Sequence, residues 1–170
     1  MFPRGITFDD VLLVPGYNGI RSRQGVTTDV TLGHCALRIP VLSANMDTIT
    51  GGAMATAMAK LGGLGILHRF MSIEANVNEF KKAREAGPVG VSIGVSGDSM
   101  ERAEALVGSG ADLICVDVAH GHSKMVNQTV RALREKYGDN LCIIAGNVAT
   151  YAGADYLAAA GADVIKVGIG

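Results

Sequence analysis

Asp117 stands where an apolar run ends. Leu113-Ile114-Cys115-Val116 is uncharged and hydrophobic, and the carboxylate opens the stretch Asp117-Val118-Ala119-His120-Gly121-His122-Ser123. A carboxylate at the end of a buried strand must be paired or bound to something. A sugar diol would satisfy it, as acidic residues do for ribose in dinucleotide sites. Ser123 reads first as the cap of a following helix. Ala145-Gly146-Asn147-Val148-Ala149-Thr150 repeats the arrangement. Asn147 offers a donor and an acceptor, which suits an amide, and Thr150 reads as a helix cap. In Ser43-Ala44-Asn45-Met46-Asp47-Thr48, Ser43 and Asn45 can hydrogen-bond a ligand and Met46 can pack on a flat ring. Asp47-Thr48 reads equally well as a helix cap. His68-Arg69 places a cation suited to phosphate or carboxylate after another apolar run; a plain exposed loop cation is the competing reading. Lys166 lies inside the last apolar run. A desolvated amine there suggests Schiff-base chemistry, but pairing with a neighbouring carboxylate is the preferred reading. Gly168-Ile169-Gly170 follows, where backbone groups can face an anion or a cation.

These residues need a scaffold that brings strand ends together. Six short runs rich in Val and Ile, at 39–45, 65–68, 89–95, 113–118, 142–147 and 164–168, read as strands buried on both faces. Between them lie helix patterns at 52–61, from Ser72 with Glu74 in the first turn, from Asp98 to the glycines at 108–110, at 123–137 and at 150–160. Gly110-Ala111-Asp112 and Gly161-Ala162-Asp163 read as helix stops. Alternation with a period of about 25 residues argues for parallel strands joined by helical crossovers. An open doubly wound sheet and a (β/α)8 TIM barrel both fit, and a barrel needs about 250 residues. The expectation is an α/β fold, a (β/α)8 barrel of which residues 1–170 supply about six strands as a single domain incomplete at its C-terminus. The first 38 residues fall outside the repeat and are expected to cap the barrel bottom with short strands.

Composition narrows the partners. The chain has 170 residues, 48% apolar, with a formal charge of −1. That balance gives no reason to expect nucleic acid or an anionic membrane. No apolar run approaches the roughly 20 residues of a membrane span, and the start lacks a secretory pattern. The three cysteines, Cys35, Cys115 and Cys142, are odd in number and unclustered. They read as free thiols in a reducing cytoplasm rather than disulfides or metal ligands.

Five collinear stretches resemble the IMP dehydrogenase/GMP reductase family: Thr7-Phe8-Asp9-Asp10-Val11-Leu12-Leu13-Val14-Pro15, Ser43 to Thr48, Asp117 to Ser123, Ala145 to Thr150, and Lys166 to Gly170. The resemblance spans the whole chain. It implies the barrel, a purine nucleotide monophosphate substrate, a nicotinamide cofactor (NADPH for a reductase, NAD for a dehydrogenase) and a cytoplasmic homotetramer. It implies that Ser43 and Met46 touch the nucleotide. Asp117, Ser123 and Asn147 would lie at the cofactor, and the carbonyls of Gly168 and Gly170 would face a monovalent cation such as K+. The nucleophilic cysteine of the family lies beyond Gly170, so none of the three cysteines inherits its role. Arg69 replaces a lysine common in relatives, which implies a retained charge without proton transfer. The direct run from Glu74 to Gly94 leaves no room for an inserted regulatory domain. On that ground the expected reaction is reductive deamination of GMP to IMP and ammonia, with oxidation of IMP to XMP as the alternative. A non-catalytic nucleotide-binding fragment is the reading from another class.

Overall fold

Short β-branched runs separated by amphipathic helices leave each strand only one way to bury both faces: beside the next parallel strand, under a helix. The computed structural model describes residues 5–169 and has this form. A hairpin of β1 (Val30–Leu32) and β2 (Cys35–Leu37) comes first, antiparallel. Then β3 (Leu42–Ser43), α1 (Gly52–Leu61), β4 (Leu64–Leu67), α2 (Ile73–Arg84), β5 (Val89–Ile93), α3 (Ser99–Gly108), β6 (Leu113–Asp117), α4 (Lys124–Tyr137), β7 (Cys142–Val148), α5 (Tyr151–Ala158) and β8 (Val164–Val167) alternate. The six strands β3 to β8 are parallel and neighbour one another in chain order, forming the curled sheet of a partial (β/α)8 barrel. No helix among the described residues is long and apolar enough to cross a membrane.

Capping residues set the helix starts. Ser72, Ser123 and Thr150 accept hydrogen bonds from the amides of Ala75, Val126 and Gly153 at 3.1, 3.5 and 3.1 Å, each worth about 1 kcal/mol. Past the helix ends, Gly110 and Gly161 take φ of 97° and 107°, the left-handed conformation expected of the two Gly-Ala-Asp stops.

Strand parity divides the core into two layers. On the outer face Ile114, Val116, Ile143 and Ala145 pack with Phe80, Leu106, Leu133 and Leu157 from four successive helices. Those four side chains are fully buried, each contributing about 1.5–3 kcal/mol. On the inner face Leu64, Ile66, Leu113, Cys115, Cys142 and Ile144 form a second cluster, which Leu37, Leu32 and Val30 of the hairpin fill from one end. By the same parity Asp117, Gly146 and Lys166 continue the inner face toward the carboxyl ends of β6, β7 and β8.

Three expectations need correction. The first strand is only Leu42–Ser43 rather than 39–45, because β3 is an edge with β4 alone as neighbour; the Ile39 amide turns instead to the Gly62 carbonyl. Asp47 does not cap α1. Its N-cap is Gly51, and the Glu79 carboxylate of α2 accepts from the Gly52 amide. The N-terminal region is divided rather than gathered at the barrel bottom. The hairpin does lie there, with Gly33 against Cys142 at the start of β7. Residues 6–9 and Val11 instead line a cavity of about 370 Å³ with Ala149, Val167, Gly168 and Ile169, at the opposite end of the strands.

Candidate active site

The polar residues that ended the apolar runs now share the carboxyl edge of the sheet. Asp117 pairs in register with Gly146 and Gly146 with Lys166. The inward side chains of β6 and β8 meet across β7: Lys166 Nζ donates to Asp117 Oδ1 at 2.7 Å. Gly146 makes this crossing possible. A Cβ there would stand 2.5 Å from the Lys166 carbonyl oxygen and 2.6 Å from its Cβ, closer than real contacts allow. The carboxylate demand at Asp117 is thus met by Lys166, the pairing preferred over Schiff-base chemistry. Only Oδ1 is engaged, and the Asp117 side chain stays 26% exposed, leaving acceptor capacity toward the mouth.

Asn147 comes next on β7. Its amide donates to the Val118 carbonyl at 2.8 Å, and its carbonyl accepts from Gly121 at 2.6 Å. The loop after β6 is thereby tied to the end of β7. Its side-chain Oδ1 is buried and has no hydrogen-bond partner among the described residues. Such an orphan acceptor costs about 1–3 kcal/mol and fits a ligand N–H. Ser123 is the N-cap of α4; Thr150 caps α5 as expected.

At the other side of the mouth, Ser43 Oγ and Thr50 Oγ1 are 2.8 Å apart, and Thr50 is fully buried. The Thr50 carbonyl accepts from the His68 amide at 3.2 Å, joining the loops after β3 and β4. Met46 is 51% exposed at this edge. Arg69 lies with its guanidinium 4.7 Å from the centre of the Phe70 ring and over Gly94 beyond β5, where a Cβ would come within 3.2 Å of Cζ. Among the described residues no carboxylate lies within ion-pair distance of Arg69. Gly168 follows β8 and donates its amide to the Val148 carbonyl at 2.9 Å; Gly170 lies outside the described residues.

Burial pushes the Cys115 thiol up to about 12, with the Asp117 charge adding to the effect and Lys166 opposing it. Burial likewise raises Cys142 to about 11 and Cys35 to a lesser degree. Thiols held protonated in this way are poor nucleophiles at neutral pH. Sequence reasoning missed three contributors: Gly94 as the seat of Arg69, Thr50 as the link between two loops, and the buried Arg102. The first two had no local signal. Arg102 shares the buried face of α3 with Ser99, Ala103 and Leu106, a spacing that could have marked it as buried but not which loop it holds.

A partial barrel whose polar groups converge at the carboxyl ends of its strands is the scaffold of a barrel enzyme. A family profile described as "IMP dehydrogenase / GMP reductase domain" matches residues 5–170. The chain belongs to the IMP dehydrogenase/GMP reductase family, oxidoreductases of purine nucleotides. It is similar to the crystal structure of inosine 5'-monophosphate dehydrogenase from Legionella pneumophila, at 58% identity and a TM-score of 0.87, over 98% of this chain and 51% of that one. It is 35% identical to the inosine-5'-monophosphate dehydrogenase of Cryptosporidium parvum, over 98% of this chain and 52% of that protein. It is 37% identical to the GMP reductase of Enterococcus faecalis, over 96% of this chain and 50% of that protein. The chain spans about half the length of these relatives.

Proposed function

We propose that this chain forms the nucleotide- and cofactor-facing part of an IMP dehydrogenase, which oxidises IMP to XMP with NAD. The observation that carries this reading is the 58% identity to the Legionella pneumophila dehydrogenase across 98% of the chain, against 37% to the reductase of Enterococcus faecalis. The GMP reductase expected from sequence is the second reading. One observation favours it. The alignments to reductases run over 164–166 residues, whereas those to the dehydrogenases of Cryptosporidium parvum and Nitrosopumilus maritimus run over 211 and 296. Those two dehydrogenases therefore carry added segments that this chain, like the reductases, lacks.

The residues present fit a nicotinamide cofactor. The orphan Oδ1 of Asn147 would accept from the carboxamide, and the free oxygen of Asp117 would accept from ribose hydroxyls, with Ser123 close by in sequence. The cofactor would supply hydride transfer at purine C2. Ser43 would hydrogen-bond the nucleotide and Met46 would pack on its ring. Arg69 would supply a fixed positive charge, since a guanidinium keeps its proton. The Gly168 and Gly170 carbonyls would face a monovalent cation. Groups held on separate strand ends need no reorganisation as charge develops, and such preorganisation is a large source of rate. The nucleophilic thiol implied by the family would come from beyond Gly170, consistent with the burial of Cys115 and Cys142 and the half-burial of Cys35, each with its thiol pKa raised.

The test is to supply the intact protein with IMP and NAD, and separately with GMP and NADPH, and to follow reduced-nicotinamide absorbance. Turnover with the first pair is expected. Turnover with the second pair alone would transfer the assignment to the reductase.

A further inference from the structure

Among the described residues, Arg102 is the only buried Lys, Arg, Asp or Glu, at 4% exposure. It sits on α3, away from the polar edge, yet its donors point back to the loop after β4. Nη1 donates to Asn76 Oδ1 at 3.0 Å. Nη2 lies 2.8 Å from the Met71 carbonyl and 2.6 Å from Asp98 Oδ2. Asn76, fully buried, in turn donates to the His68 carbonyl at 3.3 Å. The carbonyls at both ends of His68-Arg69-Phe70-Met71 are therefore gripped by one hydrogen-bonded unit. Within the segment, the Phe70 amide donates to His68 Nδ1 at 3.1 Å and the Met71 amide to the Arg69 carbonyl at 2.9 Å.

A buried guanidinium with one half-exposed carboxylate partner is a poor source of stability, because desolvation offsets most of the attraction. Its five donors in a rigid fork are well suited to holding several acceptors in fixed directions. We propose that Arg102 is a positioning residue for Arg69. Through the Met71 carbonyl, and through Asn76 on the His68 carbonyl, it sets the turn that carries the Arg69 guanidinium over Gly94 into the mouth. The inference rests on the purine-nucleotide reading for its activity readout, and on backbone geometry for the rest.

The test compares Arg69→Ala, Arg102→Lys, Asn76→Asp and the Arg69→Ala/Asn76→Asp double variant in the intact protein. Asn76→Asp keeps an acceptor for Arg102 while removing the donor to His68, so it loosens the turn without stranding the buried charge. The readouts are kcat/KM with the nucleotide and cofactor pair that turns over, and amide hydrogen exchange at Phe70 and Met71. In Arg102→Lys and Asn76→Asp, exchange at these two amides should quicken by about tenfold or more. kcat/KM should fall by about tenfold or more, no further than in Arg69→Ala. The double variant should match Arg69→Ala, because a residue acting through Arg69 has nothing left to position. Additive losses in the double variant, full turnover in Arg69→Ala, or unchanged exchange in Asn76→Asp would each overturn the proposal. Absence of turnover with either pair in the unmodified protein would instead defeat the family-chemistry reading, and the exchange measurement would still decide the clamp.

Discussion

The Asp117–Lys166 pair ties β6 to β8 over the top of β7, and its strength can be worked from its geometry. Charges 2.7 Å apart attract by about 6 kcal/mol at an effective dielectric of about 20. Desolvation takes back most of this. The Lys166 and Asp117 side chains remain 34% and 26% exposed, so neither charge pays the full burial cost, yet both are drier than a surface pair worth about 0–1 kcal/mol. A coupling of about 1–2 kcal/mol is the expected balance. The experiment is a double-mutant cycle with Asp117→Asn, Lys166→Met and both, unfolded in urea and followed by circular dichroism. Each single variant should lose about 2 kcal/mol, and the double variant less than the sum. Raising salt to 1 M should leave more than half of the coupling, since partly buried pairs are weakly screened. A coupling below about 0.3 kcal/mol, or a Lys166→Met protein as stable as the parent, would refute the idea that this pair fastens the inner face.

Gly65→Ala would place a Cβ 2.4 Å from the Ala55 Cα, driving α1 off β4; a loss of about 2–3 kcal/mol is expected, and an unchanged melting temperature would contradict the close packing. Burial holds the Cys115 proton on to about 12 against an ordinary value of 9.0. The folded thiol therefore keeps its proton where the unfolded one has lost it. That contribution is complete below pH 9 and is lost as pH rises toward 12, in total about 4 kcal/mol. Urea midpoints should fall more steeply above pH 9 in the parent than in Cys115→Ala, and parallel slopes would rule this out. A disulfide-exchange reagent should label Cys115 and Cys142 only after denaturation, with half-buried Cys35 reacting first. Borohydride should trap no adduct at Lys166 with any carbonyl substrate, because its amine is committed to Asp117.

The ends of β3, β4, β6 and β7 were legible because Ser43, His68, Asp117 and Asn147 close apolar runs, and three helix starts because Ser72, Ser123 and Thr150 are good caps in front of helical stretches. The parity that turns Asp117, Gly146 and Lys166 to one face was also there to read. Their meeting was not, since it depends on adjacent register between strands far apart in sequence. Asp47 looked like a cap as good as any, and lost because Glu79 reaches the α1 terminus from the neighbouring helix. The division of the first 38 residues escaped for a related reason. Turn residues mark where the chain bends, but which end of a barrel a segment reaches is decided by tertiary contacts. Arg102 and Gly94 matter only through the loop they hold, and no local pattern announces that.

The split path of the N-terminal region has a practical side. Residues 6–9 and Val11 approach the last strand beside Gly168 and Ile169, which puts them at the proposed ligand-facing rim. A purification handle or fluorophore attached there would crowd the entrance it was meant to report on. Labels belong on the outer helices, where the exposed Lys81 or Glu101 points away from the chemistry.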